Sequence, residues 1–392
     1  MGRILLTGCS IAEVPLIKAL QKNGHYVITF GKNKNGLAHN YSNECIYGDY
    51  SNGEQIYEAI KKHKIDNIVS GCNDFAYIAT SYAAEKAGIV GHEKYENAYT
   101  IHNKDLFKKV AHKYGAYVPR NIICNKTNEI HDICNKLGFP LIVKPVDLAS
   151  GCGIKKCNDK EETIKAVKEA FKVTRQDRVI IEEFIVGDNH ACSMFVKNNK
   201  VVFYFVDAEQ YHINRYMVAG AYSLHNYSYS IVEKIIKPIE NIFEHLCLVD
   251  GLFHVQFIEK DNLPYIIDVC RRTPGELYGL LVSDSTGIDY YDIITKFEMA
   301  QNVPDEMLIK TKKEYIAREC VMDNKVGKYI DTNIPEFINE HIYSKFNVHS
   351  KGELIEDPLS FKSQIIMLRF DNEDDLIDKC NDFHKNVKII VE

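Results

Sequence analysis

A chain of 392 residues is long enough for two or three domains of ordinary size, and 45% hydrophobic with 26% charged residues is the balance of a water-soluble globular protein. A net charge of −6 leaves no basic footprint for nucleic acid and no polybasic membrane patch. No apolar run approaches the roughly 20 residues of a membrane span. Met1–Gly8 leads straight into a strand pattern without a signal-peptide core, and the twelve cysteines include no Cys-x-x-Cys pair. A cytoplasmic location with reduced, mostly buried thiols and no zinc site is expected.

Strand and helix patterns alternate over the first hundred residues. Ile4-Leu5-Leu6 is a short apolar strand, followed by the turn Thr7-Gly8-Cys9-Ser10 and a helix over 12–23 that Gly24 closes. Tyr26–Phe30 is the next strand, and a helix over 53–63 leads to the strand Asn67–Ser70 and a helix over 74–87. Strand-helix-strand units of this length predict a parallel, Rossmann-like sheet. Gly8 and Ser10 occupy the carboxyl end of its first strand, where such folds contact ligands, and a small anionic substrate group is the candidate there. Thr-Gly-Cys-Ser is not the Gly-x-Gly-x-x-Gly of a dinucleotide site.

A helix over 104–114 and another over 127–137 precede Pro140–Ile154. There Leu141-Ile142-Val143 reads as a buried strand delivering Lys144 to its end, ahead of the loop Ala149-Ser150-Gly151-Cys152-Gly153. A loop of small residues lets backbone N–H groups approach a polyphosphate closely, although the Gly-Lys-Ser/Thr of a Walker A loop is missing. A helix over 161–172, a strand over 178–187 and a hairpin turning at Asn198-Asn199 follow. The Tyr-, His- and Asn-rich stretch 207–229 has no clean period and reads as a long loop. A helix over 231–247, a strand pair 253–258 and 264–269, a helix over 289–300, and strands near 314–322, 341–349 and 363–370 complete the chain.

Taken in order, Lys104, Val143-Lys144-Pro145, Ser150-Gly151-Cys152-Gly153, the strand end Glu182-Glu183-Phe184-Ile185-x-Gly187, the pair Gln256 and Asp268, and Arg272 resemble the ATP-grasp carboxylate–amine ligases over nearly the whole chain. The resemblance implies a mixed α/β and α+β architecture. A Rossmann-like amino-terminal domain (1–100) would precede a two-subdomain ATP-grasp fold (101–304, with a smaller lid subdomain at about 115–182) and a small α+β carboxyl-terminal domain (305–392). It also implies the activity: ATP activates a small-molecule carboxylate as an acyl phosphate, an amine displaces the phosphate, and ADP and phosphate leave.

On that resemblance Lys104 and Lys144 neutralise the phosphates, and Ser150, Gly151 and Gly153 belong to a lid over them. Glu182, Glu183 and the backbone of Phe184 and Ile185 read adenine, while Asn189, with Asp188 beside it, takes the position of the ribose-binding acid. Gln256 and Asp268 are the ligands for Mg²⁺, or for Mn²⁺ on the same donors. Gln256 removes a charge from that site, and Cys270 places soft sulfur where the family has an amide. Arg272 is the candidate to stabilise the transferring phosphoryl group and the oxyanion, with Arg271 as a second guanidinium, although strand alternation turns Arg271 to the other face. His212 and Arg215 are candidate substrate residues, with His212 a candidate base for the amine. A bicarbonate-activating enzyme, or a non-catalytic nucleotide-binding protein with a weakened metal site, are the alternatives. The expected partners are a small carboxylate and an amine, and dimeric relatives make a homodimer the expected assembly.

Overall fold

A computed structural model describes residues 2–125 and 130–392. The amino-terminal sheet is parallel throughout, with strands β1 (Arg3–Thr7), β2 (Tyr26–Phe30), β3 (Glu44–Ile46) and β4 (Asn67–Val69) in the order β3-β2-β1-β4. Helix α1 (Val14–Lys22) connects β1 to β2, α2 (Gly53–His63) connects β3 to β4, and α3 (Asp74–Ala87) follows β4, as strand-helix alternation predicts. Side chains set the helix starts: Asn52 accepts from the Glu54 and Gln55 amides, and Asn73 from those of Phe75 and Ala76. Helices α4 (Tyr95–Ile101) and α5 (Lys104–Lys113) carry the chain onward.

A second, antiparallel sheet contains β5 (Asn121–Cys124), β6 (Leu141–Pro145), β7 (Lys155–Cys157) and β8 (Val179–Glu183) in the order β5-β8-β6-β7. Helices α6 (Ile130–Leu137) and α7 (Lys160–Val173) back it, over a core that includes Leu141, Val143, Val167 and Ile181. The first residues of the helix expected over 127–137 lie outside the described residues.

The largest sheet has eight strands. Its elements begin with β9 (Asp188–Lys197), β10 (Lys200–Tyr211), β11 (Val218–Ser223), α8 (Tyr229–Leu246), β12 (Gly251–Lys260), β13 (Leu263–Cys270), α9 (Tyr278–Thr286), α10 (Tyr290–Glu298) and β14 (Tyr315–Cys320). They continue with β15 (Gly327–Asn333), α11 (Glu336–Asn339), β16 (Ile342–Asn347), β17 (Leu354–Ile355), β18 (Gln364–Phe370), α12 (Glu373–Asn386) and β19 (Lys388–Val391). The order β13-β12-β9-β10-β11-β14-β18-β16 joins strands of the last ninety residues to the ones before them, while β17-β15-β19 form a small sheet of their own. Both faces of the large sheet are covered at its centre, so β9 and β14 are buried at successive positions. Met194 and Val196 pack with Ile235 and Ile239 of α8, whereas Phe195 packs with Tyr290 and Ile294 of α10 and with Leu16 and Leu20 of α1.

The stretch 207–229 departs from the expected loop. β10 runs through Tyr211 and pairs with β11 from Asp207↔Ser223 to Tyr211↔Val218, leaving 212–217 as the connection. The ladder satisfies the backbone while Ala208, Ala219 and Ala221 face inward. Small buried alanines between tyrosines and polar residues hide the period-2 signal that hydropathy would show.

Arg271 is a structural ion-pair residue. It is 4% exposed; its Nη1 pairs with Glu93, and its Nε and Nη2 donate to the carbonyls of Leu252 (3.1 Å) and Val249 (2.8 Å). Glu93 also accepts from the Val249 amide at 3.0 Å, so the pair ties the segment after α3 to the α8–β12 turn. Removing one member of a buried pair strands the other charge. Arg271→Met is expected to destabilise the protein by about 3–5 kcal/mol, measured as a shift of the denaturant midpoint; a shift under about 1 kcal/mol would show that the pair is replaceable.

Candidate functional site

A cavity of about 840 Å³ lies between the β5-β8-β6-β7 sheet, the lid sheet of the expected subdomain, and the large sheet. On β12, where alternate residues reach the cavity, His254, Gln256 and Ile258 line it; on β13 and its extension, Ile267 to Cys270 and Arg272 do, and Arg271 does not. On β9 it is Asn189, in register with Ile258, that lines the cavity, while its neighbour Asp188 is exposed and outside the lining.

Lys104 opens α5, with its Nζ 2.8 Å from an Asp268 oxygen and 3.0 Å from the Leu148 carbonyl. Burial works against its charge, yet Asp268 holds its pKa above the ordinary lysine value. Lys144, at the end of β6, lies 2.9 Å from Glu182 Oε2, and Lys108 of α5 lies 2.8 Å from Glu182 Oε1. Glu182 is fully buried; burial opposes its ionisation, and the two lysines outweigh it and hold its pKa below the usual value. Both its oxygens face ammonium groups, so Glu182 is a counter-ion of the two lysines. Lys108, which no motif marked, follows Lys104 by one helical turn, and that spacing is the signal that would have found it.

The strand end Glu183–Ile185 lines the cavity with its backbone partly committed. The Glu183 amide donates to the Arg120 carbonyl and its carboxylate binds Arg120, while the Phe184 N–H donates to the Pro140 carbonyl at 3.0 Å. A nucleobase reading Phe184 through that N–H would have to displace the bond. Gly187 closes the turn, where a Cβ would lie 2.1 Å from the Glu259 carbonyl oxygen. In the lid loop, Ser150 and Gly151 line the cavity and Gly153 does not. Gly151 has φ +72°, and a Cβ there would approach the Tyr216 carbonyl oxygen to 2.8 Å. The loop thus lies against the 212–217 connection, and the Tyr216 hydroxyl accepts the Lys156 N–H at 3.0 Å.

Gln256 and Asp268 are opposed in register across β12 and β13. Gln256 Nε2 donates to Glu209 Oε1 at 2.5 Å, and the Tyr211 hydroxyl donates to Glu209 Oε2 at 2.8 Å. Burial lifts Glu209 to about 7 against the pull of those two donors. The Cys270 thiol is pushed up by burial to about 12, so it stays protonated and is a poor ligand. Among the described residues no three His, Cys, Asp or Glu side chains form a metal cluster. A carboxylate and an amide oxygen on one wall nonetheless fit Mg²⁺, which is commonly held by one or two carboxylates together with substrate phosphates.

Guanidinium groups also line the cavity. Arg272 Nε donates to Asp74 Oδ1 at 2.9 Å, and His102 Nδ1 is 3.0 Å from the same oxygen. Burial opposes the Asp74 charge, but Arg272 and His102 hold its pKa far below the carboxylate range. Arg318 of β14 is 2% exposed, lines the cavity, donates from Nη1 only to Cys320 Sγ, and leaves its buried Nε without a hydrogen-bond partner. Glu276, also lining, is held by Lys362 Nζ at 2.6 Å. Sequence reasoning missed Glu209 and Arg318, which only the sheet order brings to the cavity.

His212 and Arg215 both line the cavity. His212 stacks on His384 at 4.4 Å, and burial, then that neighbour, lower its pKa to about 4, which makes it a weak proton acceptor. Gly8 and Ser10 are not in the lining. The Ser10 side chain caps the turn at Ile11–Glu13 in a reciprocal box with Glu13, and a Cβ at Gly8 would strike Glu13, so this turn is built around a buried carboxylate.

Residues 110–242 match the family model described as the D-ala D-ala ligase C-terminus. Over 240 residues the chain is 26% identical to the carbamoyl phosphate synthase large chain of Saccharolobus solfataricus, a match covering 58% of this chain and 22% of that protein. The chain thus spans less than a quarter of the length of the curated relatives it matches. Among solved structures, phosphoribosylglycinamide synthetase from Anaerococcus prevotii superposes with a TM-score of 0.77 at 23% identity, covering 100% of both chains. L-amino acid ligase from Bacillus licheniformis does so with a TM-score of 0.84 at 16% identity, covering 100% of this chain and 99% of that one. The fold of this chain is the ATP-grasp fold that these structures share.

Proposed function

We propose that this protein is an ATP-dependent ligase that activates a small-molecule carboxylate as an acyl phosphate and joins it to an amine, releasing ADP and phosphate. The observation that carries the reading is one cavity that gathers Lys104, Lys144, the lid loop, Gln256 with Asp268, and the two guanidinium groups of Arg272 and Arg318. A carboxylate does not acylate an amine at neutral pH because oxide is a poor leaving group, and converting that oxygen to phosphate supplies a good one. Phosphoryl transfer asks the protein for positioning and charge neutralisation more than for covalent help.

Lys104 and Lys144 supply ammonium groups to the phosphates in exchange for Asp268 and Glu182, and the lid loop adds backbone N–H donors above them. Asp268 and the Gln256 amide oxygen would hold Mg²⁺, which when bound neutralises charge between the phosphates. Arg272, fixed by Asp74, faces the position of the transferring phosphoryl group and of the oxyanion that forms when the amine adds. Arg318, buried with an unpaired Nε, is suited to the acid's oxygens. Glu209, whose carboxyl titrates at about 7, is a better acceptor than His212 for the proton the amine loses. A homodimer and a cytoplasmic location belong to this reading.

The test is ADP release over a matrix of carboxylates and amines, with mass spectrometry of the product. An amide or peptide-like product that needs both substrates supports the ligase. ADP release with bicarbonate and no amine would replace it with the carboxylating alternative, and tight ATP binding without turnover would replace it with the non-catalytic one. Asp268→Asn is expected to abolish ADP release, and an unaffected rate would remove Asp268 from the metal site.

Arg318→Met is expected to lower kcat/KM for the acid by roughly 10–100-fold, chiefly through KM, the usual range for losing one charged partner of a carboxylate. An unchanged KM for the acid would move carboxylate binding away from β14.

A further inference from the structure

Lys108 lies behind the cavity wall. It is 2% exposed and outside the lining, with its Nζ 2.8 Å from Glu182 Oε1, an ion pair whose geometry is not that of a directed hydrogen bond. Lys144 lies on the other Glu182 oxygen at 2.9 Å and does line the cavity. Two ammonium groups thus share one fully buried carboxylate, and only one of them can reach a ligand. Were Lys144 the sole partner of Glu182, moving its ammonium onto a phosphate would leave a buried carboxylate uncompensated, a costly arrangement.

We propose that Lys108 is a positioning residue of the nucleotide site, which holds the charge of Glu182 so that Lys144 is free to engage a phosphate. The inference rests on the nucleotide reading given above and adds to it a third lysine that touches no ligand. The groups facing Lys108 are Glu182 on β8, Lys144 on β6 and, further off, Asp268 on β13, with Lys104 one turn back on its own helix. Burial lowers its pKa to about 8, Glu182 opposing and Lys144 adding to the shift. Phosphates beside Lys144 add negative charge and favour the Lys108 ammonium, so its pKa rises on binding. The complex then takes up a proton above about pH 8, and affinity falls with rising pH in that window while staying level below it.

Calorimetric titration with Mg·ADP, which does not turn over, tests this. Wild-type affinity is expected to decline above about pH 8. Lys108→Arg, charged at every working pH, is expected to keep the affinity within about threefold and lose the decline. Lys108→Met is expected to raise Kd by roughly 10–100-fold below pH 8, as for loss of one partner of a buried charge pair. In a Glu182→Gln background the same substitution is expected to change Kd by less than about threefold, because the charge it balances is gone. Thermal unfolding reports whether each variant folds, and Lys108→Arg carries the test if Lys108→Met does not. A Lys108→Met protein that binds Mg·ADP like wild type, a decline that persists in Lys108→Arg, or an equal loss in both backgrounds would overturn the proposal. A wild-type protein that binds no Mg·ADP would overturn the nucleotide reading, and this inference with it.

Discussion

The buried charge at the seam between the lid sheet and the large sheet is the constraint on which the rest of this molecule turns. Lys104, Lys108 and Lys144 meet Glu182 and Asp268 there, each pair within 2.9 Å and most members nearly inaccessible to water. Ions so placed are tolerable only when paired. The partners come from α5, β6, β8 and β13, so satisfying them fixes how the lid sheet, the large sheet and the connecting helix stand relative to one another. Three cations against two anions leave an excess of positive charge in one place on a chain whose net charge is −6. A polyphosphate is the small-molecule chemistry that such an excess attracts.

The guanidinium groups of the cavity follow a different logic. Arg272 is oriented by Asp74, which His102 holds in turn; Arg318 has no carboxylate bonded to it among the described residues; and Glu276 is taken by Lys362. Arg318 thereby stays available, which suits an anionic acyl substrate. The cavity is thus polar for two different reasons. Phosphate chemistry needs exchangeable lysines near a metal, and acyl recognition needs rigid guanidinium geometry. The 212–217 connection, packed under Gly151, places substrate-side residues directly beneath the lid.

Much of this was legible in the sequence because it depends on local pattern. Leu141–Val143 and Ile4–Leu6 are apolar runs that are strands, and the Asn198-Asn199 turn joins β9 to β10 with both residues at positive φ. The alternation that separates Arg271 from Arg272 follows from the pleat alone. Arg318 and Glu209 were not legible, since they reach the cavity only because β14 adds to β11 and β10 lies two strands from β12, an order no local signal encodes. Glu182 was legible as a strand-end acid, but its pairing with Lys108 was not, since an exposed-looking Lys-Lys sequence conceals the burial of that helix residue.

The substitution at the expected metal position carries the same lesson about charge. Gln256 replaces an expected carboxylate, and taken alone it reads as loss of a ligand. In the fold its amide nitrogen is spent on Glu209 at 2.5 Å, which brings a carboxylate to the same wall from two strands away. That carboxylate titrates at about 7, so the local charge is not removed but made conditional on a proton. A neutral ligand backed by a titrating acid demands less counter-charge than two fixed carboxylates would. It is therefore compatible with a seam where Asp268 already shares its charge with Lys104.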